Sequence, residues 1–225
     1  MNVKEFIKSV GRVYIPGSSV KGCILSGIIT KVLFDNKKIN FKNKEFDDLL
    51  SETLSTIRRQ GTYDLKKFNF WLAITDTETK SPEETLELSL IKVVGARTRS
   101  LLPILYETLK PNVEFTLEIK SNCKFSEEEI LKIADEFYRK VYEKEKEYAK
   151  SKLITLPEVP TNSYLLRIGQ GSTAWATSFL ILAEKLNITN YYIQRPKSQK
   201  IKGPPRTRKL SSGIISMGWI SIEII

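Results

Sequence analysis

The chain has 225 residues, enough to bury a real core as one domain or two small ones. Hydrophobic residues make up 41% and charged residues 28%, a globular balance, and no apolar run approaches the roughly 20 residues needed to cross a bilayer. Lys and Arg number 36 against 26 Asp and Glu, with no histidine, so the formal charge is +10; an acidic polymer is the expected partner, and Ser-His-Asp catalysis, His-containing metal sites and histidine-based ribonuclease chemistry are excluded.

Met1 to Val10 reads as a short helix or a frayed start, with no hydrophobic signal-peptide core. Val13-Tyr14-Ile15 is β-prone and ends in the turn Pro16-Gly17. Ser18 or Ser19 then reads as the N-cap of an apolar helix to Phe34, with Val20, Ile24, Ile28 and Val32 at helical spacing. Free N–H groups, two hydroxyls and Lys21 meet at a positive helix end, which is an anion site by construction. Asp35 to Asn43 is polar, and Phe46 to Ile57 carries a second helical stripe that ends near Arg58-Arg59-Gln60-Gly61.

A strand-rich block follows. Phe68 to Thr75 is bulky and ends in the turn Asp76-Thr77-Glu78-Thr79. Leu86 to Val94 alternates Leu86, Leu88 and Leu90 against Glu87, Ser89 and Ile91. Leu101 to Thr108 and Val113 to Lys120 are further strands, and Arg97 and Arg99 sit in the connection between two of them. Ser126-Glu127-Glu128-Glu129 is a capping box opening a helix to Lys150, lined by Ile130, Ala134, Phe137 and Val141 and read as scaffolding. Leu156 to Pro160 marks a linker, Tyr164 to Ile168 a strand, and Gly169-Gln170-Gly171-Ser172 a glycine bend before a helix with Trp175, Phe179 and Leu182 inward. Such a bend lets backbone N–H groups approach a phosphate. It lacks the Lys-Ser/Thr of a P-loop and the third glycine of a dinucleotide fold, so both are rejected.

No acidic residue occurs between Lys185 and Ile222, whereas Arg195, Lys197, Lys200, Lys202, Arg206, Arg208 and Lys209 all fall there. Uniform surface lysine would not segregate in this way. Lys197 to Ser212 therefore reads as a basic loop that orders on a polyanion, and Gly213 to Ile225 as a closing apolar strand. Tyr191 to Gln194 reads as a short strand. Cys23 and Cys123 make no disulfide framework, which fits a reduced, cytoplasmic protein.

The string Ile15-Pro16-Gly17-Ser18-Ser19-Val20-Lys21-Gly22 before a helix resembles the signature of the RAMP superfamily, the RNA-binding subunits of CRISPR effector complexes. The glycine-rich stretch Leu166 to Ser172 and the short strand after Gly218 are similar to two further features of that superfamily, in the same order. The Asp76-Thr77-Glu78 turn, the single glycine bend and the missing histidine look most like the type III-A Csm branch. The resemblance implies an α+β, ferredoxin-like (RRM-related) fold in two tandem modules, 1–122 and 123–225. The first would lack the family's opening strand and glycine turn, which Met1 to Val10 does not show.

The resemblance also implies a non-catalytic subunit that binds guide RNA, caps the backbone filament near the guide's 3′ end and supports guide maturation in antiviral defence. Its partners would be guide (CRISPR) RNA, the backbone RAMP subunits and target RNA, with no membrane, cofactor or metal. The candidate RNA contacts are Ser18, Ser19 and Lys21 at the helix start, Arg97 and Arg99 in the hairpin, Arg167, Gln170, Gly171 and Ser172 at the glycine bend, and Lys197, Arg206, Arg208 and Lys209 in the basic loop. Three alternatives stay open. One is a subunit of the related type III-B (Cmr) complex, the second a metal-independent endoribonuclease acting on precursor CRISPR RNA, and the third a generic basic RNA-binding module. Adjacent acids such as Asp47-Asp48, Asp76 with Glu78, and Glu83-Glu84 read as solvated rather than as metal ligands.

Overall fold

The computed structural model describes residues 3–35, 72–95, 104–122, 125–177, 180–185 and 208–225. The expected helix over 46–57, the strand over 191–194, and Arg97, Arg99, Lys197 and Arg206 lie outside these residues.

Two long helices carry the core. The first, α1 (Gly17–Asp35), buries Val20, Cys23, Ile24 and Ile28. They pack against Ile130, Leu131, Ala134, Phe137, Tyr138 and Val141 of the long helix that begins at Glu127 and ends at Lys150. That helix starts as its sequence predicts: Ser126 Oγ accepts from the Glu129 N–H at 3.2 Å, and Glu129 Oε2 accepts from the Ser126 N–H at 2.8 Å. The Tyr138 hydroxyl lies 3.2 Å from the Cys23 carbonyl and 3.3 Å from that of Ala176, bridging elements from both ends of the chain. Burial pushes the Tyr138 phenol far above its usual pKa, so it stays a neutral donor.

The strands in chain order are β1 (Val3–Lys4), β2 (Lys8–Ser9), β3 (Arg12–Val13), β4 (Leu72–Ile74), β5 (Leu86–Val94), β6 (Ile104–Leu109), β7 (Ile119–Ser121), β8 (Tyr164–Arg167), β9 (Arg208–Ser211), β10 (Ile215–Ser216) and β11 (Trp219–Ile222). A one-turn helix, α2 (Pro82–Thr85), precedes β5; the long helix Glu127–Lys150 is α3, and α4 (Ala174–Thr177) and α5 (Leu180–Lys185) follow β8. Five strands form one mixed sheet in the order β1-β6-β5-β9-β10, in which β1 runs parallel to β6 and the other pairs are antiparallel. Three two-stranded ribbons, β2–β3, β4–β7 and β8–β11, complete the α+β fold. Core residues come from both sides of position 122, and β9 pairs directly with β5. Among the described residues, no helix is long and apolar enough to cross a membrane.

Several elements differ from the sequence expectation. The opening segment is neither helix nor frayed start. β1 joins the sheet against β6, and β2 turns into β3 through Val10 and Gly11 at φ 49° and 73°, the pair of positive angles that a two-residue hairpin requires. The strand and glycine turn expected to be missing are therefore present. α1 begins at Gly17, so Ser18 and Ser19 lie inside its first turn; the Pro16 carbonyl accepts from the Ser19 N–H at 2.9 Å. β5 has the expected bounds but the opposite inner face: Ser89 and Ile91 are buried, whereas Leu88 is 64% exposed. Its hydroxyl is why Ser89 can be interior, since Ser89 Oγ lies 2.7 Å from Thr108 Oγ1 and 3.1 Å from Ser211 Oγ across three strands.

Two further corrections concern the C-terminal part. Residues 208–211, expected in a ligand-ordered loop, form a strand held by four residue pairs to β5 and by the burial of Leu210. The closing apolar strand is broken in two at Met217-Gly218, where Gly218 takes φ 87° and its carbonyl accepts from the Ile168 N–H at 2.8 Å. The stretch over 113–118 does alternate half-buried and exposed residues as expected, and it hydrogen-bonds to Thr75 and Glu78, although regular strand structure is limited to β7.

Candidate nucleic-acid interface

The start of α1 is held by the turn after β4. The Gly17 N–H donates to Asp76 Oδ1 at 2.8 Å, so a carboxylate from outside the helix caps its positive end. The Thr77 hydroxyl accepts from the Ile15 N–H at 2.9 Å, and the Thr77 N–H donates to the Ile15 carbonyl at 3.1 Å. Glu78 then ties the turn to the Thr116 backbone, its carboxylate accepting from the Thr116 N–H. Asp76, Thr77 and Glu78 thus form a bracket that presses Ile15-Pro16-Gly17 onto the ribbon, and both acids are spent on backbone N–H groups. Gly17 is needed for this approach: a Cβ there would collide with the carbonyl oxygens of Ile74 and Thr75.

What the bracket leaves outward is Ser18, Ser19 and Lys21. Both serines are exposed and Lys21 is half-buried. Partial burial lowers the Lys21 pKa from its usual value. α1 has no acidic residue in its first turn, whereas α3 has three there.

The glycine bend lies next to this helix. Cys23, two residues beyond Lys21, places its sulfur 3.5 Å from the Arg167 carbonyl, just before the bend. Burial raises the Cys23 pKa to about 12, so it is a packed thiol at neutral pH. Gly169 and Gln170 are exposed, Ser172 is half-buried and Gly171 is buried. A Cβ on Gly171 would come within 2.6 Å of the Met217 Cβ and 2.8 Å of the Met217 carbonyl carbon. Gly171 is therefore a packing glycine, and Gln170 with Ser172 are what the bend offers outward.

Arg167 and Arg208, both expected to contact RNA, point into the protein instead. Their side chains are 1% and 2% exposed, and they flank Glu145 of α3, itself 3% exposed. Arg208 Nε lies 2.6 Å from Glu145 Oε2, and Arg167 Nη1 lies 3.4 Å from Glu145 Oε1. Thr173 Oγ1 donates to Glu145 Oε1 at 2.9 Å. Arg167 also donates to the carbonyls of Gly171 at 2.9 Å and Met217 at 3.2 Å, and its guanidinium stacks on Trp219 at 4.6 Å. The guanidinium of Arg208 lies over Tyr148 at 4.2 Å. Desolvation lowers the Arg167 pKa to about 10, with Glu145 opposing the shift and Arg208 adding to it, so Arg167 remains charged at neutral pH. The two arginines position the glycine bend and β9 from within.

Lys209, the next residue, faces the other side of the sheet. Its Nζ lies 3.5 Å from the Tyr106 hydroxyl, and the Lys4 ammonium sits over the same ring at 5.5 Å. Two cations from the two ends of the chain thus share one aromatic ring. Of the candidate contacts, then, the structure brings the α1 start and the glycine bend together, sends Arg167 and Arg208 inward, and puts Lys209 beside Lys4. Asp76 and Glu145 hold the candidate site from below; the sequence reading took Asp76 as solvated and did not single out Glu145. Glu145 had a visible signal, since it falls on the apolar stripe that runs Phe137, Val141, Glu145, Ala149.

The α+β fold built on this mixed sheet is similar to the folds of solved chains. The solved structures to which the chain is similar include a chain of a Csm–crRNA–target RNA ternary complex of a type III-A CRISPR–Cas system, seen by cryo-electron microscopy. The match has a TM-score of 0.63 at 23% identity and covers 98% of this chain and 75% of that one. The crystal structure of T. onnurineus Csm5 matches with a TM-score of 0.63 at 21% identity, covering 99% of this chain and 74% of Csm5. No protein-family model matches the sequence, and no curated protein matches it significantly.

Proposed function

We propose that the chain is a Csm5-like, non-catalytic subunit of a type III-A effector complex that binds guide RNA, caps the backbone filament near the guide's 3′ end and supports guide maturation in antiviral defence. The observation that carries this reading is the agreement of fold with Csm5 and with a Csm complex chain over nearly the whole sequence. Guide RNA, neighbouring backbone subunits and target RNA are its partners, and its place of work is the cytoplasm. The reading keeps two tandem ferredoxin-like modules, 1–122 and 123–225, with α1 and α3 as their principal helices.

RNA meets the outward groups at the α1 start (Ser18, Ser19, Lys21) and the glycine bend (Gln170, Ser172), with Lys209 and the sequence-assigned Arg97, Arg99, Lys197 and Arg206 as phosphate contacts. Backbone-directed contacts of this kind give affinity without sequence preference. No histidine is available as a general acid or base, which favours binding over cutting.

Co-expression with type III-A backbone subunits and a guide is the direct test. The chain is expected to co-purify with the assembled complex, and the isolated protein to leave labelled precursor CRISPR RNA uncut. Metal-independent cleavage by the isolated protein would instead support the endoribonuclease reading, and failure to enter the complex would remove the subunit assignment.

A further inference from the structure

At the far end of α1 from the serines, one lysine lies over an aromatic ring, and the adjoining turns of α1 and α3 carry two more. Lys185, the last residue of α5, holds its ammonium 3.3 Å from the centre of the Phe34 ring near the end of α1. Lys31 lies one turn earlier on α1 and Lys140 comes from the middle of α3. The carboxylates nearby are already engaged: Asp35 pairs with Lys31 at 3.4 Å, and Glu184 pairs with Lys144 at 2.8 Å. Among the described residues, no carboxylate lies within ion-pair distance of Lys140 or Lys185.

Desolvation is the largest cause that lowers the Lys185 pKa; repulsion from Lys140 adds to it, Asp35 pulls the other way, and Lys31 adds the least. An ammonium has three donors and no acceptor, so neighbouring lysines repel and cannot satisfy one another. A bound phosphate, with several acceptor oxygens and a full negative charge, removes that conflict.

We propose that Lys31, Lys140 and Lys185 form a second phosphate-binding site for an RNA strand, at the opposite end of α1 from Ser18 and Ser19. This rests on the RNA-binding reading above and extends it. The 19 residues of α1 put roughly 27 Å between its two ends, so the sites are separate contacts rather than one. RNA is favoured over an acidic protein because Lys185 also opens the acid-free stretch that runs to Ile222, and a basic run with aromatic neighbours suits a backbone of phosphates.

The test is single-stranded RNA binding by the full chain across a salt series, for wild type, for Lys31→Gln/Lys140→Gln/Lys185→Gln, and for a control with equal charge loss, Lys132→Gln/Lys146→Gln/Lys150→Gln. Each lost phosphate contact on a single strand flattens the log K against log salt slope by about 0.7, so the first variant is expected to flatten it by about 2. The control is expected to keep the wild-type slope. Equal slopes in the two variants would overturn the site while leaving RNA binding intact. A wild type that fails to bind RNA would instead overturn the underlying reading. All six lysines are exposed, so both variants are expected to unfold at the wild-type denaturant midpoint.

Discussion

Glu145→Gln is expected to destabilise the fold by roughly 3–5 kcal/mol, the range for removing one partner of a buried ion pair. The carboxylate faces two guanidiniums, at 2.6 Å and 3.4 Å, and all three side chains are almost fully buried. Without its charge, Arg167 and Arg208 repel each other in a medium that cannot solvate them. Arg167 holds the carbonyls of Gly171 and Met217, and Arg208 anchors β9 to α3. The glycine bend and the strand bearing Lys209 should therefore loosen together. Urea unfolding measures the loss. Glu143→Gln, on the exposed face of the same helix, is the comparison and should change stability by less than about 0.5 kcal/mol. A Glu145→Gln loss below about 1 kcal/mol would mean that the cluster contributes little beyond what surface pairs do.

Gly17→Ala separates two opposing effects by sign. In an exposed helix turn, alanine is favoured over glycine by about 1 kcal/mol. At Gly17 the new methyl would meet the backbone oxygens of Ile74 and Thr75, which cannot rotate aside, so the bracket must open. Overpacking of this kind is expected to cost about 1–3 kcal/mol and to weaken RNA binding, because Ser18, Ser19 and Lys21 move with the helix start. Gly22, in the same helix, has nothing within 4 Å of a built Cβ. Gly22→Ala should therefore stabilise by about 0.5–1 kcal/mol. If both variants stabilise, the bracket is not a tight contact and the account of Ile15-Pro16-Gly17 as a docked segment fails.

Local signals were legible where local chemistry decides. The capping box at Ser126 starts α3 because its two hydrogen bonds lie within four residues, and α1 buries Val20, Ile24 and Ile28 as their spacing predicts. Pairing between distant positions was not legible. β1 has only two residues, and its strand state depends on Leu105 and Tyr106 about a hundred positions away. The inner face of β5 was read from leucines, but hydroxyls on Thr108 and Ser211 make Ser89 the buried partner and leave Leu88 outside. Arg167 and Arg208 were read as surface cations because nothing near either in sequence names Glu145 as a counter-charge. The break in the apolar stripe of α3 at Glu145 was the one available clue.

The same contrast applies to the interface. Short motifs identified the helix start and the bend, and the thiol of Cys23 against the Arg167 carbonyl shows them as neighbours. The bracket of Asp76, Thr77 and Glu78 was read as a turn, yet its work is to fix the first motif in place. Charged residues of this fold also act as supports beneath the surface, as Glu145, Arg167 and Arg208 do.

The most direct measurement is ultraviolet cross-linking of guide RNA to the chain within the assembled effector complex, followed by mapping of the linked peptides. Cross-links to the 3′ part of the guide at the peptides bearing Ser18 to Lys21 and Gly169 to Ser172 are the predicted result. Cross-links confined to other surfaces, or none from the guide's 3′ part, would contradict the account.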